Sequence, residues 1–169
     1  MKLSIVVPAY NEAAYLPVIL RKVVAALPGV DKEIIIVDDG STDGTREWLK
    51  KTLGDRRRIV SPTPDGIGIM GDLLAPAAHG GQIDSTAIEV IYHVKNQGKG
   101  AALRTGLRKA TGDVIVIQDA DLEYDPADWD KFWPLFVDGK ADVVFGSRFS
   151  GAPHRCLYYH HYAANKLIS

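Results

Sequence analysis

Five short apolar runs punctuate the chain, and each gives way abruptly to polar or glycine-rich sequence. Leu3 to Val7 is closed by Pro8 and followed by Ala9-Tyr10-Asn11-Glu12. Ile34 to Val37 runs into Asp38-Asp39, and Glu89 to Val94 into the turn Lys95 to Gly100. Val114 to Ile117 meets Gln118-Asp119-Ala120-Asp121, and Asp142 to Phe145 meets Gly146-Ser147-Arg148. Short apolar runs rich in β-branched residues read as strands, and unbroken ones as strands buried on both faces. Val114 to Ile117 is the central strand on this reading.

Between the runs the period changes. Leu16, Leu20, Val23, Val24 and Leu27 recur at helical spacing, with Pro17 in the first turn and Pro28-Gly29 as a stop. Ser41 to Asp43 offers N-cap candidates for a helix carrying Trp48, Leu49 and Leu53. A third helix after Gly100 turns Leu103, Leu107 and Ala110 inward. A fourth starts at Asp125-Pro126 and carries the stripe Trp129, Phe132, Trp133 and Phe136, read as core. Strands alternating with helices predict an α/β fold with a mainly parallel sheet. Residues 61–87 break the rhythm with three prolines and five glycines, and are expected to form a flexible surface insertion, an ordered lid being the alternative.

Composition narrows the class. The chain of 169 residues is 46% hydrophobic and 24% charged, as for one globular domain. A formal charge of -1 leaves no global footprint for nucleic acid. The single Cys156 excludes an internal disulfide framework and gives no zinc signature. No apolar run approaches a membrane span, so a soluble or peripheral chain is expected.

In parallel sheets, ligands bind outside the carboxyl ends of the strands. The polar loops named above all follow strand ends, so one sheet edge should collect them. Asp119 and Asp121 leave an extended backbone by the same face, and Glu123 joins after a turn. Such crowding calls for a cation or a shared proton, which makes a divalent-metal site at Asp119-Ala120-Asp121 the reading to test; a solvated strand end is the alternative. Arg148 suits bidentate binding of phosphate oxygens, or else a surface ion pair. The helix start at Gly98-Lys99-Gly100 offers backbone N–H groups and Lys99 to an anion, without P-loop spacing.

Ser4 to Glu12, Ile36 to Asp43, Asn96 to Ala101, Asp119 to Glu123 and Gly146 to Arg148 resemble, in order, the family 2 glycosyltransferases, and more narrowly the dolichyl- and polyprenyl-phosphate mannose or glucose synthases. The resemblance implies a Rossmann-like GT-A fold of three layers and a nucleotide-sugar donor. Pro8, Ala9, Tyr10, Glu12, Val37 and Asp39 would contact base and ribose, with Asp39 accepting from the base edge. Asp119 and Asp121 match the paired acids that hold Mg2+ or Mn2+ at the diphosphate, flanked by Ala120. Glu123 stands near that metal, and Arg148 matches a phosphate-contacting arginine. Arg155 and Lys166 both qualify as a further basic residue.

The family resemblance also implies inversion, by one in-line displacement at the anomeric carbon, onto a polyprenyl or dolichyl phosphate. Relatives continue beyond the position of Ser169, so residues 1–169 are expected to be a single catalytic domain lacking its acceptor-side segment. That leaves a nucleotide-sugar-binding fragment without turnover as an alternative. Residues 155–168 mix Leu157, Tyr158, Tyr159, Tyr162, Leu167 and Ile168 with Arg155, His160, His161 and Lys166. They suit a membrane interface, a missing segment or a partner subunit. The expected location is cytoplasmic, with peripheral contact at the cytoplasmic membrane face. A metal-dependent phosphoryl-transfer domain is the competing enzyme class, but receivers need a lysine after a later strand, dehalogenase-type phosphatases need Thr or Val where Glu123 stands, and Tyr10-Asn11-Glu12 would have no role in either.

Overall fold

The computed structural model describes residues 1–54, 58–60 and 86–146. In chain order they form β1 (Lys2–Ala9), α1 (Leu16–Ala25), β2 (Asp31–Asp38), α2 (Thr45–Thr52), β3 (Arg58–Val60), β4 (Thr86–Tyr92), α3 (Lys99–Leu107), β5 (Val114–Ile117), a 3-10 turn (Pro126–Asp128) and α4 (Trp129–Val137). The sheet order is β3-β4-β2-β1-β5. All neighbours pair in parallel except β3, which runs antiparallel along β4. The chain builds outward from β1 to β2 and β4, then returns to place β5 on the other side of β1. Strand order therefore reverses at β1, the position at which such sheets open a crevice.

Alternation along β1 and β2 divides the core between two faces. Leu3, Ile5, Val7, Ile34 and Ile36 meet Leu16, Ile19, Leu20 and Val23 of α1, Leu49 of α2 and Trp129 of α4. Val6, Ile35 and Val37 meet Ala102 of α3 on the opposite face. Each fully buried aliphatic side chain contributes about 1.5–3 kcal/mol of transfer free energy. The aromatic stripe of α4 packs on the first core as expected, Trp129 fully and Phe132, Trp133 and Phe136 partly.

Several expectations change. Val114 to Ile117 is not central: among the described residues β5 is an edge strand, with Ile115 44% and Ile117 51% exposed. A four-residue apolar run carries no information about which face is covered. Asp142 to Phe145 forms no strand, and Val143 and Phe145 are exposed. Pro8 lies inside β1, not after it; β5 pairs only as far as Val6, so beyond it a residue without an N–H is tolerated on that side. α1 stops at Ala25, and Leu27, whose φ is 48°, is already outside it. Lys32 of β2 is buried and its Nζ donates to the carbonyls of Val24 and Ala26, closing that helix end from the sheet. α3 turns Ala102 and Gly106 inward and leaves Leu107 exposed. A Cβ on Gly106 would lie 2.4 Å from Val6 Cγ1, so only glycine lets α3 approach β1 this closely. Thr86 and Ala87 open β4, while the rest of the expected insertion lies outside the described residues.

At the amino edge of the sheet, Glu33 ties three segments together. Its side chain, 7% exposed, pairs with Lys2 Nζ at 2.7 Å. It also accepts from Ser4 Oγ at 2.6 Å and from the N–H and hydroxyl of Thr111. Burial alone would raise its pKa; the hydrogen bonds from Lys2, Ser4 and Thr111 outweigh that and hold it at about 2. A depressed carboxyl pKa stabilises the fold fully above the unfolded value of 4.5 and less as pH falls toward about 2. Glu33→Gln should therefore cost ~1–3 kcal/mol in urea unfolding at pH 7. The gap from wild type should shrink below pH 4.5; a gap constant down to pH 3 would contradict the assignment.

Candidate active site

Because β1, β2, β4 and β5 run in parallel, their carboxyl ends share one edge. The loop after β1 is stitched to the loop after β2. Asn11 N donates to Ser41 Oγ at 3.0 Å, Thr42 N to Asn11 Oδ1 at 2.8 Å, Glu12 N to Thr45 Oγ1 at 2.8 Å and Ala13 N to Asp43 Oδ2 at 3.1 Å. Asp43 also accepts from Thr45 N and Oγ1, so it performs the capping expected of Ser41 to Asp43, although Gly44 holds the N-cap position. Tyr10 is 45% exposed and Glu12 is half-buried, both open to this edge.

The two acids ending β2 turn inward. Asp38, fully buried, accepts from Arg46 Nε at 2.6 Å, and Arg46 also donates to the carbonyl of His93. Asp39, 3% exposed, accepts from Gln97 N at 3.0 and 3.1 Å and from Gly98 N at 2.7 Å, with His93 Nδ1 at 2.6 Å. A carboxylate offers about four acceptor positions, and three donors, the Gln97 N–H shared between both oxygens, occupy most of them. The expectation that Asp39 accepts from a base edge thus meets a group already committed to the chain's own turn. Val37 has no exposed surface and Ala120 is 3% exposed, both in core clusters, so the ligand contact expected of them is not open in this structure. Ala9 is also buried, and Pro8 half-buried.

Past β5 the backbone bends. Gln118 is 1% exposed, and its Nε2 donates to the carbonyls of Asp119 and Tyr124 at 3.0 and 3.1 Å, fixing the turn between them. Leu122 takes a φ of 62°. Among the described residues, Asp121 Oδ1 accepts only from Glu123 N, at 3.1 Å. Asp119 Oδ1 lies 2.6 Å from Lys99 Nζ, at the start of α3. The structure thus brings Lys99 and Asp119 together across two loops, as charge alone would favour.

Three acids converge electrostatically. Glu12 has its pKa raised first by burial, then by the charges of Asp121, Asp43 and Asp119. Among the described residues no cation pairs with Glu12 or Asp121. No group of three His, Cys, Asp or Glu side chains among them is gathered tightly enough to hold a metal. Glu123 is exposed and does not complete the expected three-carboxylate set with Asp119 and Asp121. Asp119 and Asp121 are still hard oxygen donors in a field negative enough to oppose ionisation of Glu12, which fits Mg2+ or Mn2+ chemistry. Arg148, Arg155 and Lys166, and all of residues 155–168, lie outside the described residues. Sequence reasoning missed Arg46, His93, Thr105 and Gln118: the contacts of His93 with Arg46, Asp39 and Thr105 join separate elements, while Gln118 bonds nearby carbonyls of its own turn that no spacing rule signals.

The model of glycosyl transferase family 2 matches residues 4–69 and 73–168. The chain is 30% identical over 149 residues to the dolichol-phosphate mannosyltransferase of Pyrococcus furiosus, covering 88% of this chain and 34% of that protein. It is 32% identical over 143 residues to the undecaprenyl-phosphate 4-deoxy-4-formamido-L-arabinose transferase of Pectobacterium carotovorum, covering 83% and 35%. The chain thus spans about a third of the length of these relatives. Among solved structures, residues 1–349 of TarS from S. aureus superpose with a TM-score of 0.56 at 21% identity, covering 89% of this chain and 40% of that one. The mannosyltransferase PcManGT of Pyrobaculum calidifontis, in complex with GDP-Man and Mn2+, gives 0.50 at 26% identity over 75% and 29%. The sheet and its flanking helices are those of a GT-A glycosyltransferase. A match along nearly the whole length, running through the same strand ends that crowd one edge with acids, makes the chain a member of glycosyl transferase family 2.

Proposed function

We propose that this chain binds a nucleoside-diphosphate hexose at the carboxyl edge of its sheet and supports transfer of the sugar, with inversion, to a polyprenyl or dolichyl phosphate. The observation that carries the reading is the negative charge of Asp121 and Glu12, which no cation among the described residues answers, beside Asp119, whose partner is Lys99. A carboxyl whose pKa is raised by burial and by neighbouring acids, as at Glu12, is a mark of functional sites when it lies in a loop crevice. The names of the two relatives support a polyprenyl-phosphate acceptor, and the PcManGT complex supports a GDP-mannose type of donor with Mn2+; a UDP-glucose type of donor remains within the same reading.

Asp119 and Asp121 would hold Mg2+ or Mn2+, which when bound supplies Lewis-acid stabilisation of charge on the leaving diphosphate. Tyr10 and Pro8 border the crevice on the base side. Lys99 answers Asp119 in this state, and its ammonium is free to turn toward the diphosphate when the donor arrives. Arg148 is assigned the phosphate clamp on its motif alone, and Glu123 a place at the rim of the metal site. A lipid phosphate with a second pKa of ~6 is largely ionised near neutral pH, so no general base is needed. None of the helices among the described residues is long and apolar enough to cross a membrane. The lipid-phosphate acceptors named for the relatives support contact with a membrane, and the proposed location is peripheral at its cytoplasmic face.

Two outcomes follow. With Mn2+, a nucleotide sugar and undecaprenyl phosphate in detergent, transfer should occur with inverted anomeric configuration, and Asp121→Ala should slow it on the order of 10²–10³-fold. Retained configuration, or transfer to a hydroxyl acceptor alone, would refute the reading. In a carbon-13 titration, Glu12 should ionise above its ordinary value of 4.5, and Asp121→Asn should bring it down. Its raised pKa means that ionisation opposes folding as pH rises past that value, and added Mg2+ should relieve this by lowering the pKa. A Glu12 titration unmoved by both changes would remove the electrostatic basis of the site.

A further inference from the structure

His93 is a buried titratable side chain that the donor-site reading leaves without a task. It stands one residue past β4, 8% exposed, and its ring bridges two elements. Nδ1 lies 2.6 Å from Asp39 Oδ1, and Nε2 lies 2.9 Å from Thr105 Oγ1 in α3. Its N–H donates to the carbonyl of Asp38 at 2.8 Å, and its carbonyl accepts from Arg46. With every polar atom engaged, the ring has one orientation.

Asp39 passes that constraint on. Its carboxylate receives the N–H groups of Gln97 and Gly98, the last two residues before α3. The neighbouring backbone leaves no slack: Gly40, at a φ of +78°, sits so close that a Cβ there would be 2.5 Å from Asn96 N. The next residue, Lys99, opens α3 and reaches Asp119 at 2.6 Å. A continuous path thus runs from Thr105 through His93 and Asp39 to the turn, and from the turn to the acid expected to hold the metal.

We propose that His93 is a positioning residue of the donor site. By clamping the Asp39 carboxylate against Thr105, it fixes the Gln97-Gly98 turn and so aims Lys99 at Asp119 and the incoming diphosphate. The inference rests on the donor-site reading for its consequence, while its geometry stands independently. Without the ring, a buried carboxylate loses a donor and regains rotational freedom, and the two amides it holds open more often. A ring that merely filled space would be replaced adequately by leucine.

Amide hydrogen exchange of the folded chain, read residue by residue, tests this without any ligand. In His93→Leu, exchange of Gln97 and Gly98 should accelerate about tenfold, while Ile5 and Val7 in the sheet stay as in wild type. His93→Asn, which keeps a donor near the Nδ1 position, should restore most of the protection. Unchanged exchange at Gln97 and Gly98 in His93→Leu, equal acceleration across the sheet, or no rescue by asparagine would each overturn the proposal. A parallel titration with GDP and UDP in Mn2+ should show weaker binding in His93→Leu and recovery in His93→Asn. Should wild type bind neither nucleotide, the donor-site reading falls, and the exchange comparison still decides the role of His93.

Discussion

Crowding of like charge at the carboxyl edge of the sheet is the constraint on which the rest of this molecule depends. Parallel pairing of β1, β2 and β5 forces Glu12, Asp38, Asp39, Asp43, Asp119 and Asp121 toward one side. Carboxylates so placed must each find a cation, hydrogen-bond donors or water. Arg46 answers Asp38, backbone amides and His93 answer Asp39, Thr45 and Ala13 answer Asp43, and Lys99 answers Asp119. Asp121 and Glu12 are left facing each other's field. The internal pairs build the loops, and the remainder is the charge that the proposed cation and the anion it carries would meet.

The opposite edge shows the same residue type put to the other use. Glu33 is as crowded by neighbours as any acid in the crevice, yet its neighbours are donors, and its pKa falls where that of Glu12 rises. One carboxylate secures β1, β2 and the segment before β5; the other stays under electrostatic tension. Stability and binding potential thus sit at opposite ends of the same strands, which allows the crevice to be strained without loosening the sheet.

Much of this was legible in the sequence because strand ends in a parallel sheet are written as apolar runs that stop at acids. Ile34 to Val37 before Asp38-Asp39, and Val114 to Ile117 before Asp119, gave the elements, the fold class and the edge. What failed was everything decided by neighbours distant in sequence. Ile115 and Ile117 are as apolar as Ile35 and Val37, but β5 is an edge strand among the described residues and β2 lies between β1 and β4. Leu107 is larger and more apolar than its neighbour Gly106, yet the narrow gap beside Val6 selects Gly106 for the inner face. Asp39 follows Asp38 and reads no differently from it, and only the approach of Arg46 and the return of residues 93–98 show which donors each acid meets inside the chain.

The central claim is that this edge binds a nucleotide sugar through a metal held by the paired acids. Calorimetric titration of the chain with GDP-mannose and UDP-glucose, in Mn2+ and again in EDTA, tests it most directly, with Asp121→Asn as the control. One donor should bind, only with the metal, and the substitution should abolish binding. Binding of equal strength in EDTA, binding untouched by Asp121→Asn, or no binding by a chain shown to be folded would contradict it.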